Sequence, residues 1–210
     1  MSGIKYSLRQ ESTSFSIGTT NLRSSNGSLI DTNGCVALLV LSGFAVATIN
    51  FEKRILRKGD FVLLFYDSTF SMLSISAAFS VRYVSFAYHL IEEAIYKPLS
   101  INFWNTIYSN PVFRPNERDF KLLVEWWYQM EWVNNIKDYD YQEEILKNNI
   151  RNLLVATDIE IMDHAGDSLR NSRGHAWMLV NRFFRLLSSY CRETVSYTHL
   201  RAHETGAYLV

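Results

Sequence analysis

Cysteine is nearly missing from this 210-residue chain. Cys35 and Cys191 are its only two, too few for a disulfide framework. Both sit in apolar stretches with no metal-type spacing, so they read as reduced core thiols of a cytoplasmic protein. Proline (3) and glycine (9) are sparse and no internal repeat is visible, which excludes collagenous and linker-like chains. Charge of one sign is missing too: 21 Lys+Arg stand against 21 Asp+Glu, and a zero balance argues against a dedicated nucleic-acid-binding module. The first thirty residues are polar and hold no apolar signal region. Only the uncharged run 35–51 suggests a membrane, and it is shorter than the ~20 residues a helical span needs. Ser42-Gly43 at its centre reads better as a turn between two buried strands; a membrane-associated protein spanning at 35–51 is the remoter alternative.

Histidine is absent between Met1 and His89, so the first part of the chain lacks the two or three His plus a carboxylate that a barrel metal site needs. His89 and Glu93 are one helical turn apart, a spacing commoner in exposed side-chain pairs than in metal ligation. His164 and His175 fall in or beside a polar connector. There is no G-x-S-x-G elbow, no glycine-rich phosphate loop and no Cys-His pair at useful spacing. The acidic pairs Glu92-Glu93 and Glu143-Glu144 are adjacent on helices and diverge. No enzyme, metal or cofactor is therefore expected.

What the chain does have is 48% hydrophobic and 14% aromatic residues, enough to bury a substantial core. Up to about residue 86 the apolar blocks are strand-sized: 36–41, 44–49, 61–66, 72–75 and 81–86. Between them lie Ser42-Gly43, Glu52-Lys53-Arg54, Arg57-Lys58-Gly59-Asp60 and Asp67-Ser68, read as punctuation. From about Pro115 the period becomes helical. Asn116 can cap a helix through Asp119 that buries Phe120, Leu123, Val124, Trp127 and Met130. A second helix from about Tyr141 carries Leu146, Ile150, Leu153, Leu154, Thr157 and Ile161 on one face, followed by a polar connector at 163–171 holding Gly166. A third, from about Ser172, has the stripe Ala176, Leu179, Val180, Phe183, Leu187 and Tyr190.

Strands first and helices after predict an α+β fold: an antiparallel β-barrel or jelly roll followed by a helical segment. Leu122, Trp126 and Val133 widen the apolar arc of the first helix beyond one packed face, which marks a dimer interface. Glu131 falls inside that arc without explanation.

The stretch 195–205, VSYTHLRAHET, breaks the period of the third helix and resembles one reading frame of a translated sequencing adapter. The native chain is then expected to run to about residue 193 or 194, with 195–210 an artefact.

The remaining arrangement, with the Arg57-Lys58-Gly59-Asp60 turn and the final run Arg182-Phe183-Phe184-Arg185-Leu186-Leu187, Tyr190 and Arg192-Glu193, resembles the AraC/XylS-type transcriptional regulators. The resemblance implies a flexible start (1–13), a cupin-like barrel (14–98), a helical dimerisation segment (99–167) and a linker helix (168–194) toward a helix-turn-helix DNA-binding domain that this chain lacks. It further implies a homodimer and a small-molecule effector of unknown identity, with DNA bound only through the missing domain. Aromatic residues on the β blocks, Phe44, Phe65, Tyr66, Tyr83 and Phe86, are the candidate effector-lining positions. A stand-alone cupin-like small-molecule-binding protein is the first alternative.

Overall fold

The computed structural model describes residues 6–25 and 27–168, without the side chains of 163–168. The chain divides into two compact units, Met1–Ile161 and Met162–Val210. Of the second, the helical backbone up to Ser168 and the Met162 side chain are described.

The strands of the described residues are β1 (Tyr6–Ser7), β2 (Phe15–Thr20), β3 (Leu29–Asp31), β4 (Cys35–Ser42), β5 (Phe44–Ile49), β6 (Glu52–Arg57), β7 (Phe61–Phe65), β8 (Phe70–Ile75), β9 (Ser80–Phe86) and β10 (Val112–Phe113). The helices are α1 (Tyr88–Ala94), α2 (Ile101–Ser109), α3 (Glu117–Val133) and α4 (Tyr139–Ser168). The first sheet runs β10-β7-β4-β9-β2 and the second β1-β3-β8-β5-β6. Every pairing is antiparallel except the short parallel β1–β3 contact. Set aside β1 and β10, and the orders 7-4-9-2 and 3-8-5-6 are those of an eight-stranded jelly roll. The two sheets stay separate and do not close into a barrel. The fold class is α+β, as the change of period predicts.

The apolar runs explain the layering. Cys35 to Val40 on β4 and all five residues of β7 are buried. An unbroken apolar run means a strand covered on both faces. On β4 and its neighbours, alternate residues belong to different clusters. Val36, Leu38, Val40, Val62, Leu64 and Val81 pack between the sheets with Ala45, Ala47, Leu56, Phe70 and Met72 of the second sheet. Cys35, Ala37, Leu39, Phe61, Leu63, Phe65, Val84 and Phe86 face the opposite way, onto Leu90, Phe103, Trp127, Met130, Leu146 and Ile150 of the helices. The first sheet is therefore the shared wall between the sandwich interior and a helical layer.

Run 35–51 is not a span: it splits at Gly43 (φ 68) into β4 and β5, which lie in different sheets. A Cβ at Gly43 would stand 2.5 Å from the Phe79 nitrogen, so this corner requires glycine. No helix of the described residues is long and apolar enough to cross a membrane.

Two expectations are corrected. Glu52-Lys53-Arg54, read as punctuation, opens β6, an edge strand of the second sheet in which Leu56 alone is fully buried. Charge is what an exposed edge tolerates, so a real strand resembles a loop in sequence. The connector expected at 163–171 is helical through Ser168. A lone glycine costs a helix only ~1 kcal/mol, and Gly166 does not stop it.

The predicted cap holds: the Asn116 side chain accepts from the Asp119 N–H at 3.0 Å. Asn116→Ala is expected to cost about 1 kcal/mol, read from urea denaturation, because it orphans that donor.

Candidate functional site

The five aromatic candidates do not converge. Phe65 and Phe86 are buried on the helix side of the first sheet. Phe65 meets Phe103 and Trp104 edge-on, with ring centroids 6.1 and 5.1 Å apart. Phe44 and Tyr66 are more than half exposed, and the Tyr66 ring stands against Tyr88 at 5.0 Å. Of the five, Tyr83 alone packs against the cluster between the sheets. Alternation explains the scatter: residues one apart in a strand point to opposite faces, and the first sheet is apolar on both.

Tyr83 sits opposite Gly18 in the β2–β9 register. A Cβ on Gly18 would lie 3.0 Å from the Tyr83 ring and hydroxyl, so the ring occupies the space the glycine leaves. The hydroxyl lies 3.5 Å from Ser16 Oγ. Ser16, Gly18 and Tyr83 thus form a small polar-edged corner where edge strand β2 meets β9.

On the other face of β9, Arg82 lies between two rings of α3. Its guanidinium carbon is 4.4 Å from the Trp127 ring centroid and 4.3 Å from that of Tyr128. Arg82 Nη2 donates to the Tyr128 hydroxyl at 2.7 Å, and Trp127 Nε1 donates to the Tyr83 carbonyl at 3.1 Å. Sequence reasoning missed this clamp. Its signal was an arginine inside the apolar block 81–86, which calls for a partner on whichever face it points to.

The three dimer candidates separate as well. Leu122 is 59% exposed and Val133 is 1% exposed within this chain's own core. Trp126 is half-buried, packs edge-on to Phe86 at 6.4 Å, and keeps a buried Nε1 without a hydrogen-bond partner. Trp132, 63% exposed, was not among the candidates yet shares the outer arc of α3 with Leu122.

A cleft of about 380 Å³ lies between α1 and α4, lined by Glu93, Ala94, Tyr96, Asp140, Glu143, Glu144, Lys147 and Asn148. Lys147 Nζ is 2.5 Å from Glu93 and 3.8 Å from Glu143, while His89 Nε2 is 3.7 Å from Glu143. The hydrogen bond from Lys147, then its charge, holds the Glu93 carboxyl below its ordinary value; the same bond raises the Lys147 ammonium. A depressed carboxyl stabilises the fold above its unfolded pKa and loses that contribution as pH falls through the folded one. The raised ammonium contributes below its unfolded pKa and loses it as pH rises through the folded one. The latch therefore holds across neutral pH and weakens at both ends. Glu93→Gln is expected to flatten the acid limb slightly in urea midpoints measured against pH; both groups face solvent, which screens them. Among the described residues, no group of three His, Cys, Asp or Glu is arranged to hold a metal.

No family model and no curated protein matches the chain. Solved structures do. An apo ToxT variant from Vibrio cholerae strain SCE256 is similar at 16% identity and TM-score 0.48, over 73% of this chain and 59% of its own. Unsaturated-fatty-acid-bound wild-type ToxT from the same strain matches at 16% identity and TM-score 0.44, over 73% and 57%. ToxT from Vibrio cholerae O395 matches at 15% identity and TM-score 0.39, over 70% and 55%. The chain thus spans less than two thirds of the length of these structures.

Proposed function

We propose that the chain is the effector-sensing and dimerisation part of an AraC/XylS-type transcriptional regulator of the cytoplasm, with DNA bound by a domain beyond residue 194. The observation that carries this reading is the two-faced first sheet. One wall serves both a jelly-roll interior, where a small apolar molecule would bind, and a helical layer able to meet a second subunit. Of the candidate effector-lining residues, Tyr83 keeps the role, since it alone of the five packs toward the interior. The dimer face is the outer arc of α3, which carries the exposed Leu122 and Trp132, with Trp126 at its border; Val133 supports it from within the core.

Reading the source DNA through the codon of Thr194 tests the assignment. Continuation into two helix-turn-helix units with a basic surplus is the expected result. A stop after residue 210 would leave a stand-alone cupin-like binding protein. The dimer is tested separately: Leu122→Glu is expected to shift residues 1–194 from dimer to monomer in sedimentation velocity at micromolar concentration. A wild-type monomer at that concentration would remove the dimer from the proposal.

A further inference from the structure

Arg82 and Tyr83 are consecutive residues of β9 that engage opposite sides of the same wall. The Tyr83 ring lies on the interior side over Gly18, and its own backbone carbonyl accepts the Trp127 indole N–H from α3. Arg82, on the helix side, is held between the Trp127 and Tyr128 rings and bonded to the Tyr128 hydroxyl. Four contacts of three kinds thus fasten one dipeptide to two consecutive residues of one helix. The cation–ring contacts and the indole bond are all short-range, so they cannot stay optimal if β9 moves or twists relative to α3.

The interior end of this linkage is its most displaceable part. Tyr83 is half-buried, its hydroxyl has a single distant partner in Ser16, and its ring rests on a glycine of an edge strand. Elsewhere between the sheets the apolar side chains of β4, β5, β7 and β8 are almost completely buried, apart from Ile75 at the end of β8. Moving the half-buried Tyr83 ring disturbs less close packing than moving these fully buried neighbours.

We propose that Tyr83 and Arg82 form a relay: displacement of the Tyr83 ring by a ligand between the sheets is passed through the Tyr83 carbonyl and the Arg82 clamp to α3, the helix carrying the proposed dimer face. The regulatory meaning rests on the sensor reading above; the mechanical coupling does not. Both residues are positioning residues, and the relay supplies the differential contact by which an effector biases one arrangement of α3 over another.

The test needs no effector. Gly18→Ala introduces a methyl group 3.0 Å from the Tyr83 ring, which must give way by a few tenths of an ångström. The readout is the indole N–H resonance of Trp127 in ¹⁵N spectra of the full chain, assigned by its loss in Trp127→Phe. This resonance is expected to shift, while those of the exposed Trp104 and Trp132 stay in place. Should Gly18→Ala fail to fold, Tyr83→Leu empties the same space while keeping the carbonyl that Trp127 bonds, and the same shift is expected. In an Arg82→Met background the shift should shrink; a merely structural Arg82 would lower stability and leave it unchanged. An unmoved Trp127 resonance in the folded variants overturns the relay. That result would leave the sensor reading standing, because the source reading frame tests it independently.

Discussion

Gly34→Ala is expected to abolish folding at 25 °C, seen as loss of the cooperative urea transition and of near-ultraviolet circular dichroism. Gly34 has φ +105, and a Cβ built there stands 1.9 Å from the Phe86 carbonyl oxygen, 2.9 Å from the Ala87 carbonyl carbon and 2.9 Å from the Tyr88 nitrogen. All three are backbone atoms, so no rotamer change relieves the clash. The backbone that would have to move is the junction of β9 and α1, where Cys35 pairs with Phe86 and the helical layer begins. Separating these segments opens both faces of the shared wall. The expected loss exceeds about 4 kcal/mol, a large part of the 5–15 kcal/mol that holds a typical domain. Gly59 is the control. It too has positive φ (+90), but nothing lies within 4 Å of its would-be Cβ, so Gly59→Ala pays only the left-handed strain of about 1–2 kcal/mol. A Gly34→Ala protein as stable as Gly59→Ala would mean that the approach of Gly34 to Phe86 is looser than described.

Strands and helices were legible where burial leaves a period or a run. The blocks at 36–41, 44–49, 61–66, 72–75 and 81–86 all contain or form strands, and the α3 cap was readable from Asn116 and Asp119. β6 was not legible because its sheet edge faces water and takes charge. The continuation of α4 was hidden because polar residues and one glycine are compatible with a solvated helix. The site was legible less well, and for a physical reason. In a strand buried on one face, an aromatic residue in phase with its neighbours can be assigned to the core; in a strand buried on both faces, phase decides between two cores. Phe86 and Tyr83 are three residues apart, hence on opposite faces, and composition gives no sign of which face is which. Likewise Val133 continues the arc of Leu122 and Trp126 in projection, yet α3 turns that edge inward. The third helix and the stretch 195–210 lie outside the described residues.

Phe86→Ala and Phe44→Ala separate the two kinds of aromatic residue that sequence alone treats as equivalent. Phe86 is 1% exposed, stacks with Phe15 at 6.0 Å with an interplanar angle of 13°, and meets Trp126 edge-on. Its removal leaves a cavity between the first sheet and α3 that stiff strands cannot close, so the expected loss is about 3–5 kcal/mol. Phe44 begins β5 at 55% exposure with its neighbour Ala45 turned inward, and its truncation is expected to cost under about 1 kcal/mol. Urea denaturation of both variants, analysed with a common m-value, measures the difference directly. The contrast also bears on function. A residue that lines a binding space contacts empty or solvent-filled volume in the free protein, so truncating it mainly lowers ligand affinity. A residue that closes the sheet–helix seam mainly lowers stability. A loss below about 1 kcal/mol for Phe86→Ala would show that the seam between the first sheet and α3 is already open beside it.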